Sequence, residues 1–301
     1  MTYVLALNSS PNGAPRSGTA TILKHFVEGM REAGANVDVV NLAELNISPC
    51  KGCMACWWKT PGECVQQDDM KQIYPKLRKA DVLVLATPLY VDGMNAQLKA
   101  AVDRFIPLVE PFFEIREEHC RHPKREPLTG GRLALVSVCG FHELDNFDPL
   151  VVHVEAICRN MGREFSGAVL RPYAKVFPFL KMRGVEVDGV YRDVHKAGVE
   201  LIQDGKISEE TMARIGRDLV TREELVDGMN SFFKRSIQAG SVFRATSNFF
   251  SWVKGVPIDL TQTHSSTHTT ETHPTTPPQP QPPTNDASNP DTTRTPPTKT
   301  Q

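Results

Sequence analysis

The sequence predicts a doubly wound α/β fold, and three observations predict it. Short apolar runs of β type recur at residues 3–7, 37–40, 82–86, 133–138 and 164–170, while apolar residues at helical spacing fill 19–33, 69–79, 95–109 and 150–161 between them. A polar, hydroxyl-rich turn joins the first run to the first helical stretch. Parallel strands need helix-length crossovers, so this alternation implies a five-stranded parallel sheet covered by helices on both faces. In such sheets the ligand lies beyond the carboxyl ends of the strands, which directs attention to the segments after Leu7, Ala86 and Val138.

Each later element follows from its own signal. Residues 188–240 return to helical spacing, with Ser208 ahead of Glu209 and Glu210 as one helix start, and Thr221 followed by Glu224 as a capping box for another. These helices are expected to pack on the core. After Leu260 there is no Val, Ile, Leu, Met or aromatic residue, so nothing offsets the entropy of ordering that segment. The expected division is a sheet domain over 1–175, a helical extension over 176–260 and a disordered Thr/Pro-rich tail over 261–301.

Composition narrows the function classes. Of the 301 residues, 34 are Lys or Arg against 35 Asp or Glu, giving a formal net charge of −1, so the basic excess usual in nucleic-acid binders is missing. No apolar run approaches bilayer length, and the N-terminus enters a strand without a basic region or a cleavage site, which predicts a cytoplasmic protein with no membrane partner. Seven cysteines is an odd count, and Cys50, Cys53, Cys56 and Cys64 crowd into one loop. That pattern suits a metal or redox site in a reducing compartment better than a disulfide scaffold.

The turn after the first strand reads Asn8-Ser9-Ser10-Pro11-Asn12-Gly13-Ala14-Pro15-Arg16-Ser17-Gly18-Thr19. Hydroxyls and free backbone N–H groups at a helix N-terminus suit a phosphate, and the helix dipole adds to the attraction. The turn is neither a Walker A loop nor a G-x-G-x-x-G fingerprint, so a terminal monophosphate such as that of FMN fits it better than a dinucleotide. An ordinary polar turn with Thr19 as N-cap is the other reading of the same residues. After the third strand comes Thr87-Pro88-Leu89-Tyr90-Val91-Asp92-Gly93-Met94, where Tyr90 can stack on a flat ring and Gly93 lets backbone approach it. Further along, Lys99, Asp103 and Arg104 read as a solvated helix face.

Cys50-x2-Cys53-x2-Cys56-x7-Cys64 is the sharpest signal. Three thiolates at intervals of three can surround one compact inorganic core, and a fourth completes the set that a [4Fe–4S] cube requires. Zinc usually draws two separated pairs; thiols without metal are the third reading. Cys139 and Cys158 read as small apolar residues, and the run His119-Cys120-Arg121-His122 as solvated surface in a charged insertion.

Together, the first turn, the segment after the third strand and the run from Cys50 to Met70 resemble the NAD(P)H-dependent FMN reductase superfamily, flavodoxin-like in fold, and within it the iron–sulfur flavoprotein branch. The resemblance covers roughly the first 170 residues. It implies that Ser9, Ser10, Arg16, Ser17, Gly18 and Thr19 cradle the FMN phosphate. It also implies that Pro88, Leu89, Tyr90, Asp92, Gly93 and Met94 flank the flavin ring, with Cys139, Gly140, Phe141 and His142 opposite. His142 is a weak catalytic candidate, and Cys50, Cys53, Cys56 and Cys64 would hold the metal. The implied activity is electron transfer from NAD(P)H or a protein donor to a small-molecule acceptor or a ferredoxin-like protein, in a homodimer or higher homo-oligomer. The competing class is a non-catalytic flavin- or zinc-binding redox sensor.

Overall fold

All five expected strands form and pair in parallel. The computed structural model describes residues 1–12, 16–125 and 131–240, so the expected tail and the end of the helical extension lie outside the described residues. In chain order the elements are β1 (Tyr3–Asn8), α1 (Gly18–Glu32), β2 (Asn36–Asn41), α2 (Ala55–Trp58), α3 (Met70–Lys79), β3 (Val82–Tyr90), β4 (Gly93–Met94) and α4 (Ala96–Asp103). Then follow β5 (Glu114–Arg116), β6 (His119–Arg121), β7 (Arg132–Val138), α5 (Asp148–Met161), β8 (Glu164–Arg171), α6 (Phe177–Met182), α7 (Asp188–Gln203), α8 (Glu209–Gly216) and α9 (Arg222–Gln238). The parallel order is β2-β1-β3-β7-β8, the flavodoxin-like arrangement, with β4 paired antiparallel to the end of β3.

Alternation along the strands sorts side chains by size between the two faces. Val4, Ala6, Val82, Val84, Ala134 and Val136 face one core, shared with α1 and α7, while Leu5, Leu7, Leu83, Leu85, Leu133 and Leu135 face the other, shared with α3, α4 and α5. Smaller residues on the first face let α1 lie close to the sheet. Gly29 on α1 and Gly198 on α7 carry that closeness outward, since a Cβ on Gly198 would collide with the Phe26 carbonyl and one on Gly29 with the His195 carbonyl. The extension helices through residue 240 therefore belong to the same compact unit as the sheet.

Three local departures from the sequence expectation have physical causes. The stretch 95–109 is not one helix: α4 stops at Asp103 and a 3-10 turn follows at Ile106–Leu108, because Pro107 has no N–H to give and its ring would strike the carbonyl four residues back. Strand β3 runs on to Tyr90 and returns through β4, with Val91 and Asp92 at φ 48° and 58°, the paired positive angles of a two-residue hairpin turn. The charged insertion forms the hairpin β5–β6, whose turn residues Glu117 and Glu118 have φ 52° and 60°. Both expected helix caps form: Ser208 accepts from Thr211 N–H, and Thr221 with Glu224 makes a complete capping box. Among the described residues no helix is long and apolar enough to cross a membrane.

The α1–α7 crossing yields a test. Gly198→Ala should lower stability by about 3 kcal/mol, since the added methyl meets fixed backbone and not a movable side chain. Urea midpoints of the two proteins measure it; an unchanged midpoint would show that the helices can separate freely.

Candidate functional site

The described residues of the hydroxyl-rich turn, 8–12 and 16–19, meet in a cradle at the N-terminus of α1. Ser17, not Thr19, is the N-cap: its Oγ accepts from Ala20 N–H at 3.0 Å and donates to Ser10 Oγ at 2.7 Å. Thr19 lies in the first turn, 1% exposed. Thr21 N–H bonds the Ser17 carbonyl, which leaves the N–H groups of Gly18 and Thr19 without a protein partner among the described residues. No acidic side chain occupies that first turn, so the positive end of the helix dipole is uncompensated. Arg16 is exposed beside it.

The cradle is tied to the sheet and to the next segment. Ser9 donates both its N–H and its hydroxyl to the Ala86 carbonyl at 2.9 and 3.0 Å, and Ser10 N–H donates to Asn8 Oδ1 at 3.2 Å. Asn95, 2% exposed, caps α4 by accepting from Leu98 N–H and donates from Nδ2 to the Ser9 carbonyl at 2.6 Å. Its own N–H reaches Thr87 Oγ1 at 3.1 Å. Asn95 thus joins the first turn, the end of β3 and α4 in one buried node. Sequence reasoning passed it over, although an Asn placed just ahead of a helical stretch is a cap signal.

Beyond the node the carboxyl ends of β3 and β7 stand side by side, with Pro88 paired to Val138. Pro88 is buried, Leu89 partly so, and Tyr90 is half exposed. Asp92 is exposed and Gly93 and Met94 are half-buried on the returning strand. Val91 is fully exposed at positive φ, a conformation that costs a β-branched residue about 1–2 kcal/mol with no packing to offset it. On the other side Cys139 is buried, and burial pushes its thiol up, consistent with a small apolar residue. Gly140 faces open space, and Phe141 is exposed. His142 is engaged elsewhere. Its Nε2 lies 2.9 Å from the Val220 carbonyl, and its ring stacks on Tyr173 with centroids 5.4 Å apart. Leu219 N–H donates to Tyr173 Oη at 2.9 Å and Arg171 donates to the carbonyls of Ile215 and Arg217, so the α8–α9 connection is fastened over this end of the sheet.

The cysteine loop leaves after β2 and is closed at its neck. Asp68 accepts from Ser48 N–H at 3.0 Å and from Met70 N–H at 3.2 Å, and Asn46 N–H donates to Asp69 at 2.7 Å. Arg104, expected on a solvated face, is instead 1% exposed: it donates to the Ser48 carbonyl at 2.7 Å and pairs bidentately with Asp68 at 2.7 and 3.1 Å. Lys99 and Asp103 do form a solvent-facing pair at 2.6 Å. Inside the neck, Gly52 and Met54 take left-handed conformations that turn the chain into α2. Cys50, Cys53, Cys56 and Cys64 then line one small cavity of about 20 Å³ together with Arg104, whose buried Nε has no hydrogen-bond partner. Among the described residues the thiols are not drawn to metal-ligand spacing. Burial pushes the Cys56 thiol up, and the neighbouring Cys64, Cys50 and Cys53 add to the shift. Trp57 donates to the Ile106 carbonyl at 3.3 Å, whereas Trp58 is exposed.

The Arg104–Asp68 pair carries a pH-dependent prediction. Burial alone would raise the Asp68 carboxyl, but the Arg104 guanidinium and the N–H groups of Ser48 and Met70 outweigh it and hold the group below the usual carboxylate range. A carboxyl depressed in the folded state stabilises above its unfolded pKa of about 4, and that stability is lost as pH falls through the folded value. Asp68→Asn should therefore cost about 3–5 kcal/mol at neutral pH, because it strands a buried guanidinium, and the gap from wild type should narrow in acid. Urea unfolding at several pH values measures both.

Comparison with known proteins fits this geometry. The family model for NADPH-dependent FMN reductase matches residues 2–145. An iron–sulfur flavoprotein of Methanocaldococcus jannaschii is 33% identical over 105 residues, 35% of this chain and 52% of that one. One of Methanosarcina thermophila is 36% identical over 109 residues, 36% of this chain and 56% of that one, so the chain spans about half the length of these two relatives. A third, from Archaeoglobus fulgidus, is 29% identical over 150 residues, 49% of this chain and 74% of that one. Among solved structures, an FMN-dependent NADH-azoreductase from Bacillus anthracis superposes with a TM-score of 0.48 at 16% identity, over 67% of this chain and all of that one. Residues 2–145 thus resemble the NADPH-dependent FMN reductase family, and iron–sulfur flavoproteins are among the proteins this chain is similar to.

Proposed function

We propose that the chain is an FMN-dependent oxidoreductase that passes electrons from NAD(P)H or a protein donor to a small-molecule or protein acceptor, with a [4Fe–4S] centre in the cysteine loop as relay. The observation that carries this reading is the cradle at α1: two N–H groups without a protein partner among the described residues, beside the paired Ser10 and Ser17 hydroxyls at a helix N-terminus with no acidic residue in its first turn. A phosphate monoester is the group such a cradle is built to hold. Open space at Gly140, with exposed Tyr90 at the end of β3 and exposed Phe141 in the segment after β7, fits a flat ring system beside that phosphate.

When bound, FMN supplies the electron and hydride chemistry. The protein residues do the rest. Ser9 and Asn95 hold the cradle against β3, the β3–β4 hairpin presents its edge, and the α8–α9 connection fixes His142 and Tyr173 so that the segment after β7 keeps its shape. For the second group, Cys50, Cys53, Cys56 and Cys64 supply the right donors in kind and number around one cavity. Binding a cation there would have to deprotonate them, and Arg104 stands beside the thiolates as a fixed positive charge.

The two groups can be tested separately. Anaerobically purified or FMN-reconstituted protein should release FMN on denaturation, identified by chromatography, and should carry iron and acid-labile sulfide. Cys56→Ala should lose the iron and sulfide while keeping FMN. Release of FAD alone, or no flavin after reconstitution, would contradict the flavin assignment; full iron retention in Cys56→Ala would contradict the cluster.

A further inference from the structure

A second cleft lies on the far side of the cysteine loop. Its volume is about 320 Å³, within the range of small-molecule sites. The walls are apolar: Phe105 and Ile106 after α4, Ile157 and Met161 on α5, and Phe113 just ahead of β5. The insertion that forms the roof is anchored and not loosely draped. Arg125 N–H donates to the Leu108 carbonyl at 3.0 Å, Glu110 N–H to the Pro123 carbonyl at 2.9 Å, Arg116 to the Asn160 carbonyl at 3.3 Å and Lys124 to the Gly162 carbonyl at 3.3 Å. The cleft is therefore part of the fold.

Two features define what it would take. Aromatic rings cluster at its edge, with the His122 ring stacked on Phe113 at 5.1 Å and tilted by 51° against Trp57 at 4.8 Å, centroid to centroid. The ring is fixed there because its Nδ1 lies 2.9 Å from the Phe112 carbonyl, which only accepts, so that nitrogen carries the proton. Charge supplies the second feature. Among the described residues, Asp103 is the one lining carboxylate and is taken up by Lys99 at 2.6 Å, whereas Arg121 bonds the Cys120 carbonyl at 3.1 Å and has no carboxylate partner. An apolar slot beside a ring cluster, with a lining guanidinium that has no carboxylate partner among the described residues, matches a flat hydrophobic body carrying a single negative charge.

We propose that this cleft between α4, α5 and the β5–β6 hairpin is a binding site for a small aromatic anion, an aryl carboxylate or a compound of the same chemistry. The site is distinct from the flavin cradle, which lies at the carboxyl ends of the strands, and it does not require either cofactor. It does abut the cysteine loop, since Asp103 and Ile106 line both cavities.

Calorimetric titration of the purified full-length protein with 2-naphthoate, and with the neutral 2-naphthamide, tests the site. Wild type should bind naphthoate at one saturable site. Arg121→Glu should weaken naphthoate about tenfold or more, roughly 1.4 kcal/mol, and leave the amide within about twofold. Ile157→Trp fills the cleft and should abolish binding of both while keeping the wild-type melting profile. Absence of saturable binding, or wild-type naphthoate affinity in either variant, would overturn the proposal. Sedimentation run alongside separates the remaining occupant: heat that tracks dissociation of a dimer would mean that a second copy covers the cleft, and the proposal fails.

Discussion

A guanidinium with 1% of its side chain exposed, paired to a carboxylate with 4% exposed, holds the two halves of the candidate chemistry in register. Arg104 follows the last residue of α4, and through Asp68 and Ser48 it grips both strands of the neck from which the cysteine loop emerges. At the other end of the same helix Asn95 grips the phosphate cradle through the Ser9 carbonyl. One eight-residue helix is thus clamped at both ends by buried polar bonds, and each clamp serves a different site. Such bonds are costly to break singly because the surviving partner stays buried. A shift of α4 would therefore disturb both sites together, even though the side chains lining them differ.

The rest of the fold supplies rigidity around that helix. Leucines on one face of the sheet fill the space under α3, α4 and α5, while the valines and alanines of the other face admit α1 closely enough for α7 to cross it at paired glycines. Packing of this kind transmits displacement with little compliance. It also brings the C-terminal helices to the functional end, where the carbonyls of Ile215, Arg217 and Val220 bond Arg171 and His142. The extension is thus bonded directly to the segments that would border a bound ring.

Much of this was legible in the sequence because it rests on periodicity. Strand alternation and helical spacing located all five parallel strands to within a few residues, and Ser208 and Thr221 announced their helices because capping is a local interaction. What was not legible depends on residues distant in sequence. Arg104 looks like a solvated helix residue until Asp68, 36 positions away, is folded against it. The β3–β4 return was hidden because Val91 is a poor residue for its backbone angle, and a turn built against local preference leaves no signature. His142 reads in sequence only as a weak catalytic candidate because its partners, Tyr173 and Val220, lie 31 and 78 positions further along the chain.

The account stands or falls on the cradle at α1 being a phosphate site. The most direct measurement is an equilibrium comparison of FMN with riboflavin, which carries the same ring and lacks the phosphate, monitored by quenching of flavin fluorescence on binding. The account predicts that FMN binds at least about a hundredfold more tightly, a difference of roughly 2.7 kcal/mol that the N–H groups at the start of α1 and the serine hydroxyls supply. Equal affinity for the two would contradict it.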